Sequence, residues 1–237
     1  MDTAAGGIEG LASTLNAHYT SPLVVRSIYR AIEGMGFRSG NILEPACGTG
    51  NFFGAMPENL RASTLYGVEL DSLTGRIAQK LYPDAHISIQ GFEHASLPDD
   101  YFDVAVGNVP FGAYSLADAR YDRFHFRIHD YFFAKTLDKV RPGGLIAFVT
   151  SKGTMDKQDA SVRRYIAQRA ELLGAIRLPN TAFKANANFA KARTGTEPGN
   201  CKRGGFTLAR SRRDRRRRAG QPVFSRSPGH AAGYNGL

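Results

Sequence analysis

The 237-residue sequence has no tryptophan, four methionines and only two cysteines, Cys47 and Cys201. Two distant thiols provide neither a disulfide framework nor a metal-ligand cluster, which points to a reducing, intracellular and cytoplasmic setting. Long apolar runs are missing as well. The stretch from Leu145 to Val149 is typical, far short of the roughly 20 residues a membrane-spanning helix needs. Met1 to Gly10 lacks the basic-then-apolar pattern of a secretory signal. His125 and His129 have no further ligands at metal-binding spacing. Disulfide-stapled, membrane-embedded and metal-centred classes are therefore disfavoured, and a hydrophobic content of 42% fits a soluble globular domain.

The net charge of +10 suggests a nucleic-acid partner until it is divided along the chain. Twelve of the 31 basic residues but only two of the 21 acidic ones lie from Ala190 onward, so the tail carries the whole excess and the rest balances. Arg, Gly, Ala and Pro make up more than half of that tail and its apolar periodicity vanishes. Its composition predicts disorder, with at most a weak strand at 205–209. Arg212 to Arg218 reads either as a nucleic-acid arm or as the product of truncation or a shifted reading frame beyond about Asn188.

From Thr20 to about Pro179, short apolar runs alternate with amphipathic stretches, the pattern of an α/β parallel sheet. The first helix starts with Ser21 as N-cap and Pro22 at the first position, with Val24, Ile28, Ala31, Ile32 and Met35 facing inward and Gly36 closing it. Strands are expected at 41–45, 65–70, 86–90, 103–107, 145–150 and 174–178. Leu73, Ile77 and Leu81 mark the inner face of a helix after the second strand. Further helices are expected near 130–140, stopped by Pro142-Gly143-Gly144, and near 160–173.

The first strand runs into Glu44-Pro45-Ala46-Cys47-Gly48-Thr49-Gly50-Asn51. A glycine turn at the carboxyl end of a parallel strand opens the crevice where α/β sheets bind ligands. One Gly-x-Gly pair is weak alone. Glu69 adds weight: it ends the second strand 25 residues beyond Glu44, where a carboxylate can accept hydrogen bonds from both hydroxyls of a ribose. Phe92, after the third strand, is placed either to stack on a cofactor purine or to fill the core. Cys47 reads as a small turn residue.

The fourth strand ends in Gly107-Asn108-Val109-Pro110-Phe111. An exocyclic amine on a heteroaromatic ring is a poor nucleophile because its lone pair is delocalised. Two acceptors facing its two hydrogens, the Asn108 amide oxygen and the Val109 carbonyl, would turn that lone pair toward an electrophile. Pro110 would fix the turn and Phe111 would stack on the ring. Between Tyr114 and His129, rings and cations interleave (Tyr114, Arg120, Tyr121, Arg123, Phe124, His125, Phe126, Arg127). That mixture suits an extruded nucleotide and its phosphates as well as it suits a packed surface loop.

On these motifs the chain resembles the N6-adenine DNA methyltransferases of the class I fold, which end this turn in Asn or Asp, Pro, Pro and an aromatic. Val109 replaces the first proline. The resemblance covers roughly residues 15–188. It extends upstream to Tyr19-Thr20-Ser21-Pro22, and downstream through His129-Asp130-Tyr131-Phe132-Phe133 and Arg141-Pro142-Gly143-Gly144 to Asn180-Thr181-Ala182-Phe183. It is most similar to the methylase domains of plasmid and mobile-element proteins that carry a helicase module. The resemblance implies a Rossmann-like, doubly wound, mostly parallel sheet and S-adenosyl-L-methionine as cofactor. It implies cofactor contacts at Tyr19, Thr20, Glu44, Ala46, Gly48, Gly50, Glu69, Phe92 and Asn108, and catalytic roles for Asn108, Val109, Pro110 and Phe111. It implies methylation of adenine in DNA, as in restriction-modification. DNA is the implied partner, with a helicase or target-recognition module on a further C-terminal region or a separate chain, and no membrane.

The class I fold closes with an antiparallel seventh strand beside the fifth, for which no apolar segment follows Phe183. The expected organisation is thus an extension at 1–14, the methyltransferase domain at 15–188 with its last strand missing, and a basic tail at 189–237. Two other functions share these features: a protein glutamine-N5 methyltransferase, whose turn is near-identical but ends in Tyr, and a catalytically weak nucleic-acid-binding fragment.

Overall fold

A computed structural model describes residues 20–178 and 204–211. Helix α1 (Pro22–Gly34) begins where the Ser21 side chain accepts the Leu23 amide, and proline at the first position presets φ for the helix. Its buried face is Val25, Ile28, Tyr29 and Ile32. Val24, Ala31 and Met35 flank it, only partly buried, so the inner stripe is turned slightly from the one expected.

Seven strands form one sheet: β1 (Asn41–Glu44), β2 (Thr64–Glu69), β3 (His86–Ile89), β4 (Phe102–Asn108), β5 (Val140–Ser151), β6 (Ala170–Arg177) and β7 (Gly204–Ser211). Their spatial order is β3-β2-β1-β4-β5-β7-β6. The first five pair in parallel, whereas β7 lies antiparallel between β5 and β6. This corrects the expectation of a missing last strand. Part of what reads as tail is a central strand, with Leu145 opposite Arg210 and Ser151 opposite Gly204. A strand hydrogen-bonded on both sides draws its order from its neighbours' backbone groups and needs little apolar patterning of its own. Ala209 and Ser211 are buried there, and small side chains suffice. The Arg212–Arg218 run lies outside the described residues.

Helices α2 (Asn51–Gly54), α3 (Ser72–Leu81), α4 (Ile128–Lys139), α5 (Lys152–Asp156) and α6 (Ser161–Arg169) connect the strands. Helix α3 corrects a second expectation. Leu73, Ile77 and Leu81 are exposed, as is Leu70 before them, and the buried positions are Gly75 and Ala78. The cause is close approach. A Cβ on Gly75 would stand 2.8 Å from Ile89 Cγ1, so the helix lies against β3 through its small residues and leaves its leucines outward.

Helix α4 is buried almost all round, and β5 starts at Val140 and runs through Pro142-Gly143-Gly144. The β4–β5 register shifts between Phe102 and Val104. A side chain at Gly144 would press on the Asp103 carbonyl, 2.8 Å away. The core has two layers. Ile28, Ile42, Phe52, Val104 and Val106 pack on the α1 face, and Phe102, Ala105, Tyr131, Phe133 and Phe148 on the α4 face. Among the described residues no helix is long and apolar enough to cross a membrane, and no group of three or more His, Cys, Asp or Glu is placed to hold a metal.

Candidate active site

The strand order reverses between β1 and β4, and both strands end at the same edge in the segments the sequence singles out. Such a switch point opens a crevice at the carboxyl ends of the strands. The turn after β1 is built on left-handed glycines, Gly48 at φ +54 and Gly50 at φ +84. The Gly50 amide donates to the Cys47 carbonyl at 2.8 Å, and the Cys47 amide donates to the Val68 carbonyl at 3.0 Å. A Cβ on Gly50 would collide with the ring of Tyr82, while nothing lies within 4 Å of one on Gly48. Gly50 lets an aromatic ring brace the turn. Gly48 leaves open space beside it.

Glu69 is tied to this turn. One carboxylate oxygen accepts the Gly48 amide at 2.7 Å and the other accepts the Asp71 amide at 2.9 Å. Each oxygen keeps a further lone pair, and the side chain is only partly buried. Asp71 in turn caps α3 by accepting the amides of Leu73 and Thr74.

Glu44 stands deeper, 2% exposed. Burial, and then the nearby Glu69 carboxylate, push its carboxyl well above the ordinary value. Its Oε2 has no hydrogen-bond partner among the described residues, and neither has the buried Thr20 Oγ1. A buried carboxyl with an unused oxygen can take up a cationic group, whose charge offsets the cost of ionising it. Burial, followed by Glu44 and Glu69, raises the Cys47 thiol likewise. It packs toward Gly67, where a Cβ would stand 2.9 Å from its sulfur. That environment makes it a structural residue, not a nucleophile.

The turn after β4 abuts the same place. A Cβ on Gly107 would meet Glu44 Cγ at 3.4 Å and Pro45 Cδ at 3.7 Å, so Asn108 begins one residue from the buried carboxyl. Asn108, Pro110 and Phe111 are partly buried and Val109 fully so. Ala46 is partly buried between the two turns, packed on the α4-face core. The substitution of valine for proline has a structural use: the Val109 amide donates to the Val149 carbonyl on β5 at 3.1 Å.

One expected contact packs in the core. Phe92 is 3% exposed. Its ring packs on Phe132 at 4.9 Å with Lys135 Nζ 5.2 Å from its centre, the second of the two positions the sequence allows it. Tyr19 lies outside the described residues. Sequence reasoning also missed a hub that pins the segment after the reactive turn. Asp118 accepts the Tyr131 hydroxyl at 2.6 Å and Lys135 Nζ at 3.1 Å, and Lys135 also donates to the Glu93 carbonyl at 2.9 Å. Burial would raise the Asp118 carboxyl, but these two donors hold it below the usual range. The only sequence signal is a pair of lysines, Lys135 and Lys139, on a helix rich in aromatic and aliphatic residues.

The sheet order and the paired turns define a class I methyltransferase fold. A modification subunit assigned to a type I restriction enzyme of Vibrio vulnificus shares it, with a TM-score of 0.62 at 20% identity over 83% of this chain and 45% of that one. The N-6 DNA Methylase family matches residues 11–190, and the chain belongs to that family. It is similar to Defense against restriction protein B of Escherichia phage P1, 33% identical over 190 residues, which cover 78% of this chain and 8% of that protein. It is also similar to modification methylase CviBIII of Paramecium bursaria Chlorella virus NC1A, 34% identical over 71 residues, 30% of this chain and 19% of that one. The chain thus spans a small part of the curated relatives it matches.

Proposed function

We propose that this chain transfers the methyl group of S-adenosylmethionine to the N6 amine of adenine in DNA. The observation that carries the reading is the close approach of Gly107 to Glu44, where a Cβ would stand 3.4 Å from Glu44 Cγ, which sets the Asn108–Phe111 turn against the glycine turn. The open space at Gly48, the spare acceptors of Glu69 and the orphaned oxygens of Glu44 and Thr20 fit such a cofactor: Glu69 toward the ribose hydroxyls, Glu44 toward the ammonium. The cofactor supplies an electrophilic methyl on a sulfonium.

The protein supplies position and polarity. The Asn108 amide oxygen and the Val109 carbonyl accept the two hydrogens of the amine and turn its lone pair toward the methyl carbon. Phe111 stacks on the extruded base and holds it in line. As the new N–C bond forms and the S–C bond breaks, the amine gives up one proton to water. Sequence choice and unwinding belong on this reading to further modules, in keeping with the small share of its relatives that the chain spans.

The test is incubation of the purified protein with methyl-labelled cofactor and unmethylated DNA. Label in adenine supports the proposal. Label in protein alone supports a glutamine methyltransferase, and cofactor binding without transfer supports a non-catalytic fragment.

A further inference from the structure

The overall charge balance of the described domain hides a division. Residues 20–111, up to the reactive turn, carry six basic and ten acidic side chains, net −4, whereas residues 112–178 carry twelve and seven, net +5. Several of these later cations hold the fold together. Arg120 pairs with Asp99 and Asp138, Lys135 with Asp118, Lys139 with Asp99, Arg141 with Asp103, and Arg177 with Asp156.

Others are gathered elsewhere. Phe124 and Phe126 stack at 5.1 Å with 13° between their planes, and both meet the Tyr165 ring of α6 edge-on, at 4.9 and 5.0 Å. This three-ring knot carries guanidinium groups on its rim. Arg123 sits 4.6 Å from the Phe124 centre and Arg169 sits 3.8 Å from that of Tyr165. Arg127 and Arg164, adjoining the knot in sequence, are exposed. The backbone enforces the arrangement. From 123 to 127 nitrogen-bearing side chains and phenyl rings alternate, with Arg123, His125 and Arg127 exposed, Phe124 half-buried and Phe126 buried, and His125 in the left-handed region at φ +49. Asp122, Asp159 and Glu171 are exposed acids near them in sequence, while Asp130 is buried. The segment joins the end of β4 to the start of α4, so Arg127 stands at the carboxyl edge of the sheet, while the knot extends from there along α6 toward Arg169 at the start of β6.

We propose that this arginine-rimmed aromatic knot is a DNA-backbone clamp, in which the exposed Arg123, Arg127 and Arg164 contact phosphates of the bound duplex. The inference rests on the adenine-methylation reading. Rings that hold guanidinium groups in place limit the entropy lost when phosphates bind, and a positively charged face steers the polyanion onto the domain.

The test is the salt dependence of binding to a short duplex by the intact chain, compared with the Arg123→Gln/Arg127→Gln/Arg164→Gln variant. Each lost phosphate contact lowers the slope of log affinity against log salt by about 0.9, so the expected fall is between 2 and 3. Cofactor affinity should stay within about twofold, because the site residues are untouched. The control is Arg26→Gln/Arg30→Gln on the exposed face of α1, which should leave the slope alone. An unchanged slope in the triple variant, or an equal fall in the control, overturns the clamp. If the triple variant misfolds by circular dichroism, Arg123→Gln and Arg164→Gln singly should each lower the slope by about 1. Adenine label with an unchanged slope removes the clamp and keeps the methylation reading. A lowered slope without adenine label keeps the clamp and removes that reading.

Discussion

The amide of Val109 donates to the carbonyl of Val149 at 3.1 Å, a bond that the proline usual at this position in similar turns could not make. Proline stiffens such a turn through its ring, whereas this chain ties it to the neighbouring strand. Val109→Pro should therefore destabilise the protein, by about 1–3 kcal/mol, because it leaves a buried carbonyl unpaired. Urea denaturation of the two proteins checks this, and equal midpoints would show that the bond contributes nothing.

Asn108→Ala should reduce transfer by roughly 10²–10³-fold, the usual cost of losing one preorganised polar contact to a reacting group. Cofactor binding, held by residues of the other turn, should change far less. Single-turnover transfer of label and equilibrium cofactor binding separate the two quantities.

The two glycines of the cofactor turn should respond differently to the same change. Gly48→Ala meets open space and carries only the left-handed backbone penalty, about 1–2 kcal/mol. Its new methyl group stands where the cofactor is proposed to approach, so affinity should fall with the fold intact. Gly50→Ala adds a collision with the Tyr82 ring and should lower the thermal midpoint more. A larger thermal loss for Gly48→Ala would contradict this assignment.

Glu44 makes stability fall as pH rises. Burial and the Glu69 carboxylate raise its folded pKa well above the ordinary 4.5, so in that window the folded state holds a proton that the unfolded chain has released. The stabilisation is complete below the unfolded pKa and is lost as pH climbs through the folded one. Glu44→Gln should remain flat over the same range and exceed the wild type at its upper end. Chemical denaturation at several pH values, without cofactor, gives the comparison.

The first five strands and both turns were legible because each carries a local signal: an apolar run ended by glycine, proline or an isolated polar group. What escaped was set by distant neighbours. Gly204–Ser211 has little apolar patterning, and its order comes from β5 and β6 on either side. The stripe of α3 misled because Leu73, Ile77 and Leu81 keep helical spacing, yet Gly75 and Ala78 allow the closer approach and win the inner face. Phe92 had two plausible places, and only the packing of Phe132 and Lys135 decides between them. The Asp118–Lys135 pair joins a loop to a helix and leaves no periodic trace.

The seventh strand is the last to leave the ribosome, yet it sits inside the sheet. During synthesis β5 and β6 therefore wait with bare hydrogen-bonding edges until some thirty more residues emerge. At 5–20 residues per second that interval is roughly two to seven seconds. A nascent chain in this window offers two adhesive borders to its neighbours, so the yield of native protein should depend on how quickly the segment ending at Ser211 arrives to seal them.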